Sequence, residues 1–406
     1  MSDLPQSRLL DPTTPPTVLT LTLLAGVSAL SMNIFLPSLP SMAAWYGVPY
    51  ATMQLSVALY LALSAGLQVL IGPISDRYGR RKVVLGSLLL FLIATVAVLL
   101  APTAETFLIA RMAQAVIAAG MVLSRAIVRD MVSDARAASM IGYVTMGMSL
   151  VPMIGPVIGG VLDEALGWQA SFGFLLLAGL AVTWLCWRDL GETSRPSGLG
   201  LGEQIAQYPR LLTSQRFWGY CLAAALSSGC FFAYLGGAPY VGTEVFGLGS
   251  TQIGLLFALT AVGYAGGNFF AGRYSVRIGM NRMVLIGTLI TTLACSGLLA
   301  VSLAGAMGPF LFFGLTLVMG AGNGVCLPNA NAGILSVRPD LSGTASGLGG
   351  AINIGGGAAL AALAGILLPP GATERPLVAL MLATSVGSVL AILWVIRRAR
   401  TLGLPG

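Results

Sequence analysis

Gly72-Pro73-Ile74-Ser75-Asp76-Arg77-Tyr78-Gly79-Arg80-Arg81-Lys82 separates two long apolar runs, near 52–74 and 83–101. An echo of it, Gly272-Arg273-Tyr274-Ser275-Val276-Arg277-Ile278-Gly279-Met280-Asn281-Arg282, lies 200 residues later between the runs near 250–271 and 283–304. Gly, Ser, Arg and Gly recur at the same spacing, and Ala65-Gly66 and Ala265-Gly266 precede them. Two basic turns of one pattern, each between apolar runs, predict a duplicated membrane bundle.

Working outward, a helix needs about 20 apolar residues to cross the hydrocarbon core. The first half offers such runs near 17–36, 52–74, 83–101, 105–126, 138–162 and 168–187. The second offers them near 216–239, 250–271, 283–304, 307–329, 342–367 and 376–396. The longest polar stretch, 188–215, carries Gly, Pro and charge. The expectation is all-α and integral to the membrane, with twelve transmembrane helices in two six-helix pseudo-repeat bundles. The division is a tail at 1–16, a bundle at 17–187, a linker at 188–215, a bundle at 216–397 and a tail at 398–406.

Composition supports this. Of 406 residues, 56% are hydrophobic and 9% are charged, against roughly 25% charged in a soluble domain. So few charges cannot cover a water-facing surface. The 53 glycines suit helices that approach closely in lipid. The apolar run that opens the chain lacks a convincing small-residue cleavage site, so it reads as a retained first helix.

The net charge is +7, with 20 Arg, one Lys and no His. The charges lie in short loops, which suits topology control and not nucleic-acid binding. With the amino terminus inside, Arg375 falls in an outer loop and Arg111 within a helix. The other 19 basic residues face the inner side. That bias predicts an even helix count with both termini cytoplasmic. The five cysteines form no CxxC pair, so neither zinc nor a disulfide framework is expected. No metal cluster, no nucleotide loop and no sizeable soluble domain speak for an enzyme or a receptor; no cofactor is expected.

The turn at Gly72–Lys82 resembles the loop between the second and third helices of the major facilitator superfamily. Arg111-Met-Ala-Gln114-Ala-Val-Ile-Ala-Ala-Gly120, with Arg125 and Arg129-Asp130, resembles the fourth-helix motif. Pro152-Met-Ile-Gly155-Pro156-Val-Ile-Gly159-Gly160 resembles the fifth-helix motif associated with antiporters. Asn33-Ile-Phe-Leu-Pro37-Ser-Leu-Pro40 is similar to the end of the first helix in the Bcr/CflA drug-exporter subfamily. Leu327-Pro328-Asn329-Ala-Asn331-Ala and Gly343-Thr-Ala-Ser346 fit it too. The resemblance spans essentially the whole chain. It implies the major facilitator fold, alternating access, export of small amphiphilic drugs in exchange for protons, and a bacterial inner membrane. The partners implied are the bilayer, a small-molecule substrate and protons; a monomer is expected.

Candidate residues follow. Gly72, Asp76, Arg77, Gly79, Arg80 and Arg81 read either as a topology anchor or as a gating latch in which Asp76 pairs with Arg129. Asp130, Pro152, Gly155, Pro156, Gly159 and Gly160 join the gating set, the glycines through close helix contact. Arg111 lies six residues past Glu105, about 9 Å into the helix. A charge at that depth points to a cavity or a partner; the alternative is a structural bond to neighbouring carbonyls. Asn33, Gln54, Tyr60, Gln114, Tyr234, Asn268, Asn329 and Asn331 are polar groups that suit substrate contact or helix packing. Phe231, Phe232 and Tyr234 offer stacking surface, core or a lipid face.

One departure bears on mechanism. Proton-coupled exporters commonly hold a carboxylate in the membrane, and the resembling subfamily commonly has Asp where this chain has Asn33. None of the 14 acids lies deep in a predicted helix, which leaves Glu105 and Asp130 at helix ends as proton-coupling candidates. A cavity with Arg111 and no carboxylate favours neutral to weakly anionic, phenicol-like substrates. The competing expectation is a facilitator or importer without proton coupling.

Overall fold

The structure is a computed structural model that describes residues 7–131, 151, 154–193, 208–338 and 341–401. Among these, eleven helices are long and apolar enough to span a membrane. The run expected near 138–162 lies mostly outside the described residues; its described part is a helix over 154–166.

The elements follow in chain order. In the first half α1 is Val18–Asn33, α2 Leu39–Tyr46, α3 Tyr50–Tyr78, α4 Arg80–Leu99, α5 Ala104–Gln114 and α6 Ala118–Met131. The helix over 154–166 is α7, and α8 is Gln169–Asp189. A short α9, Tyr208–Leu212, leads into the second half: α10 Gln215–Tyr240, α11 Ser250–Ile278, α12 Met280–Leu303, α13 Pro309–Ser336, α14 Ser342–Ile366 and α15 Arg375–Thr401. Two spans are built from paired helices, α1 with α2 and α5 with α6, so that Val18–Tyr46 and Ala104–Val128 each cross once.

Helix ends carry recognisable chemistry. Thr17 caps α1 by accepting from the Thr20 N–H, and Thr103 forms a reciprocal box with Thr106 at the start of α5. Such caps occupy backbone donors that have no partner within the helix. The basic turn differs from a loop: α3 stays helical through its charged end to Tyr78, and Gly79 alone breaks it. Arg, Asp and Tyr are tolerated in a helix, and a helix leaving the bilayer has water to solvate its charges, so hydropathy loss does not mark the helix end. Gly79 has φ 95° and ψ 139°, and Gly279 has φ 93° and ψ 143°. Side chains rarely adopt that backbone, which is why glycine stands at both. Each N–H bonds back to a serine carbonyl, Ser75 or Ser275. α3 and α11 both have 29 residues and begin 200 positions apart, so the sequence echo is a structural repeat.

Apolar side chains fill the interior and also cover the outside. Phe269, Phe310, Ile366 and Leu293 are among the exposed large hydrophobics, as expected where the surrounding solvent is lipid. The helices pack through small residues. A Cβ at Gly263 or Gly267 on α11 would overlap the carbonyls of Leu317 or Ala321 on α13, and Gly320 and Gly324 return the arrangement against Thr260 and Tyr264. α3 lies along α14, joining the halves. One end of the bundle gathers Arg77, Arg80, Arg81, Arg277, Arg338 and Arg398. The other gathers Glu105, Asp163, Glu164, Glu244 and Glu374. These are the basic and acidic ends of the molecule.

Candidate functional site

The first span loses regular helix after Asn33, passing through the 3-10 turn Leu36–Ser38 with Pro37 inside it. The fourth span does the same after Gln114, through Ala115–Ile117, with no proline to cause it. Breaks of this kind within a span commonly mark hinges. Arg111, Gln114, Ser31 and Asn33 sit just before the two breaks, and the structure brings the first three together.

Arg111 is 1% exposed. Its Nη1 donates to Ser31 Oγ at 3.1 Å and to Gln114 Oε1 at 2.8 Å, and its Nη2 donates to the Ser31 carbonyl at 2.7 Å. The guanidinium lies between two rings, with its carbon 4.5 Å from the Phe35 centroid and 3.9 Å from that of Tyr60. Gln114 is held in turn: its Nε2 donates to Thr95 Oγ1 at 2.8 Å, and Thr95 donates to the Phe91 carbonyl at 2.7 Å. Every partner among the described residues is neutral. Burying an ion costs several kcal/mol. Against that stand hydrogen bonds of about 1.5–3 kcal/mol each and ring contacts of about 0.5–2 kcal/mol each. The cage therefore offsets the burial without neutralising the charge. Arg111 Nε is buried with no partner among the described residues, and so is Asn33 Oδ1, whose own Nδ2 donates to the Ala29 carbonyl at 3.0 Å.

In the second half Tyr234 is buried, its phenol oxygen accepting from Thr260 Oγ1 at 3.1 Å, with Thr316 2.8 Å beyond Thr260. Its ring packs against Phe257, Phe312 and Phe313, and Phe231 stands beside it. Asn268 and Asn329 donate to their own helices, at the carbonyls of Tyr264 and Val325 (both 2.9 Å), while Asn331 is exposed. Two asparagines that the sequence reading passed over have partners here. Ser227 donates to Asn323 Oδ1 at 2.5 Å, Asn323 Nδ2 is buried with no partner among the described residues, and Ser228 donates to Asn353 Oδ1. Asn323 lies in the apolar run near 307–329 and Asn353 in a Gly-rich one; that context was the available signal.

At the acidic end the halves are tied. Tyr50 donates to the Gly236 carbonyl at 2.6 Å and its ring meets Tyr240. Gln54 Nε2 donates to the Ala361 carbonyl at 3.0 Å, so this side chain lies in the seam, away from Arg111. Asp163 accepts from Ser41 at 2.9 Å and from Ser250 at 2.5 Å. Glu164, past the apolar run of the fifth span, accepts from the Thr251 N–H at 3.0 Å. Hydrogen bonds from the Thr251 side chain and backbone hold its carboxyl below the ordinary value of 4.5. Gly160 permits this contact, since a Cβ there would overlap the Ser250 carbonyl, whereas a Cβ on Gly159 would overlap the Ile34 carbonyl of its own half. Gly254 of α11 meets the Pro156 carbonyl in the same way. Gly155 faces Leu30 and Asn33.

At the basic end Arg80 Nε meets Asp130 Oδ2 at 3.0 Å, and its Nη1 donates to Ser75 Oγ and, at 3.5 Å, to the Gly72 carbonyl. Arg81 donates to the Trp187 carbonyl at 2.9 Å, and Arg77 lies over the Tyr78 ring. Glu192 accepts from the Arg80 N–H at 2.8 Å. Asp189, which the sequence places with the linker, is fully buried. It accepts from the N–H of Leu10 (2.8 Å) and of Thr17 (2.9 Å), and from the hydroxyls of Thr17 (3.0 Å) and Thr20 (2.5 Å). It thereby ties the amino-terminal segment to the end of α8. Glu105 is exposed in the first turn of α5. Pro152 and the side chains of Asp76 and Arg129 lie outside the described residues.

Residues 21–361 match the model of the Major Facilitator Superfamily. A chloramphenicol resistance protein of Pseudomonas aeruginosa is 33% identical over 273 residues, 67% of this chain and 65% of that protein, just under two thirds of its length. Multidrug resistance protein D of Escherichia coli K12 is 29% identical over 382 residues, 93% of this chain and 94% of that one. Among solved structures, a peptide transporter POT in complex with alafosfalin superposes with a TM-score of 0.76 at 15% identity, covering 98% of both chains. An inward-facing, occupied bacterial homolog of the human lysosomal transporter Spinster gives 0.73 at 17% identity, covering 95% and 96%. At these identities the structures speak for the fold alone, whereas the family match takes in most of the repeat, both span breaks and the acidic-end seam. This multi-pass membrane protein belongs to the major facilitator superfamily of transporters.

Proposed function

We propose that the chain exports small amphiphilic molecules, neutral to weakly anionic and phenicol-like, by alternating access in exchange for protons. The observation that carries the substrate class is the neutral cage of Arg111: a buried positive charge whose Nε has no partner, and which has no carboxylate beside it, among the described residues. Such a site repels dications and suits a molecule that brings hydroxyl, carbonyl or nitro oxygens with an apolar body. The named functions of the drug-resistance relatives agree with export. Asn33, Gln114 and Tyr60 are the remaining first-half candidates around the site. Gln54, Tyr234, Asn268, Asn329 and Asn331 stand as second candidates that contact substrate in other states of the cycle.

Proton coupling centres on Asp130. Protonation would release Arg80 from it and loosen the basic end, whereas Glu105 is exposed and distant from any such pair in the described residues. The basic end faces the cytoplasm of a bacterial inner membrane, with both termini on that side, in keeping with the arginine bias. The Gly72–Arg81 turn and the Gly155–Gly160 contact then act as the gates of the two sides. A facilitator without proton coupling is the second reading, and Asn33 in place of a carboxylate is what favours it.

Cells producing the protein should retain less labelled chloramphenicol than empty-vector cells, and a protonophore should restore retention. Steady-state retention equal to that of empty-vector cells, with label entering and leaving faster, favours the facilitator; retention and exchange rate both equal to those of empty-vector cells overturn the substrate class.

A further inference from the structure

Four arginines converge at the basic end of the second half. Arg210 from α9, Arg216 from the first turn of α10, Arg338 after α13 and Arg398 near the end of α15 line a cavity of about 350 Å³. Thr213, Ser214, Gln215 and Val337 complete its wall, and among the described residues no acid lines it. Positive charges so gathered, with no acid among the described residues of the wall, repel one another unless an anion joins them. Arg216 Nε is buried and donates to no group among the described residues.

The cavity is also built for an anion in its backbone. It sits at the start of the 26-residue α10, where the first N–H groups have no carbonyl within the helix, and the positive end of the helix dipole faces the same way. Ser214 caps only the Phe217 N–H. Arginine forks and helix N–H groups together match the tetrahedral oxygens of a phosphate.

The surroundings name the source of that phosphate. Trp394 precedes Arg398 by one helical turn, so both lie on one face of α15, and Trp394 is partly exposed. Leu212, at the end of α9, is exposed as well, and Trp218 is anchored there by its Nε1 donating to the Leu212 carbonyl at 2.8 Å. Apolar and indole side chains beside a ring of arginines are the pattern of a membrane interface. We propose that this cavity is a binding site for the phosphate headgroup of an anionic phospholipid, pinning the ends of α10, α13 and α15 to the leaflet. All its residues belong to the second half or its lead-in helix, so it anchors that half during rocking and does not latch the halves together. The site is independent of what the chain transports.

The test is native mass spectrometry and thermal unfolding of the full chain in phosphatidylcholine nanodiscs supplemented with phosphatidylglycerol or cardiolipin. The variant is Arg338→Gln with Arg398→Gln, both exposed. Arg273→Gln with Arg277→Gln, exposed at the same end but outside the cavity, is the charge-matched control. The natural protein and the control should retain an anionic lipid and melt higher with it, and the cavity variant should bind it at least tenfold more weakly. A cavity variant that binds like the control overturns the site. If millimolar inorganic phosphate alone gives the same protection, the lipid assignment falls and a soluble phosphate takes its place. A cavity variant that keeps its melting point in pure phosphatidylcholine shows that lost lipid binding is not lost folding.

Discussion

Arg111 is held by geometry that only a guanidinium satisfies. It spans Ser31 and Gln114 with separate nitrogens while lying flat between Phe35 and Tyr60; an ammonium has neither the fork nor the plane. Arg111→Lys should therefore lower drug export at least tenfold, measured as efflux from preloaded cells. Its thermal unfolding should also show a loss of about 1–3 kcal/mol for the acceptors left unpaired. Unchanged efflux would mean the residue only packs. Asp189 gives a second residue-scale expectation. Asp189→Ala strands four donors at the start of α1 and in the segment before it, so stability should fall by about 3 kcal/mol, with Asn at the same position costing less. Denaturation in detergent checks both. Arg111 was legible in sequence because a charge within an apolar run is conspicuous. Its cage was not: Ser31, Phe35 and Tyr60 come from other spans, and hydropathy carries no information on which helices touch. Asp189 was hidden for the same reason, since a polar residue at a helix end looks solvated until the amino-terminal segment is seen folded over it.

At the scale of elements, the seam between α7 and α11 depends on the absence of side chains. Gly160 and Gly254 each leave room for only a carbonyl of the other helix. Gly160→Val should wedge the acidic end apart, lengthening the distance between spin labels placed across it, while the fold persists because the contact is between halves. An unchanged distance distribution would show that the seam does not close on this glycine. The repeated turn at Gly79 and Gly279 could be read from the chain, since glycine, serine and arginine recur at one spacing. The continuation of α3 through Asp76 and Arg77 to Tyr78 could not, because charge ends an apolar run without ending a helix. The span breaks at Leu36–Ser38 and Ala115–Ile117 divide likewise: Pro37 announces the first, and nothing in Ala115-Val-Ile announces the second.

For the whole molecule, alternating access as proposed requires the ties between the halves at the acidic end to break, and one of them should respond to pH. The contact to Thr251 lowers the Glu164 carboxyl from its ordinary 4.5, so closure favours its ionised form. The contribution to closure is therefore full above the ordinary value and is lost as pH falls through the lowered one. Labels across the acidic end should separate as pH drops below about 4.5, and Glu164→Gln should remove that dependence. The central claim, proton-coupled export of neutral to weakly anionic amphiphiles, meets its most direct test in everted membrane vesicles. They are acidified inside, with lumenal pH read by a fluorescent weak base, and carry either the natural protein or Asn33→Asp. Adding a neutral phenicol should release protons from natural-protein vesicles, and adding a dication should not. Silence from the natural protein, with release only in Asn33→Asp, would contradict proton coupling and leave a facilitator in its place.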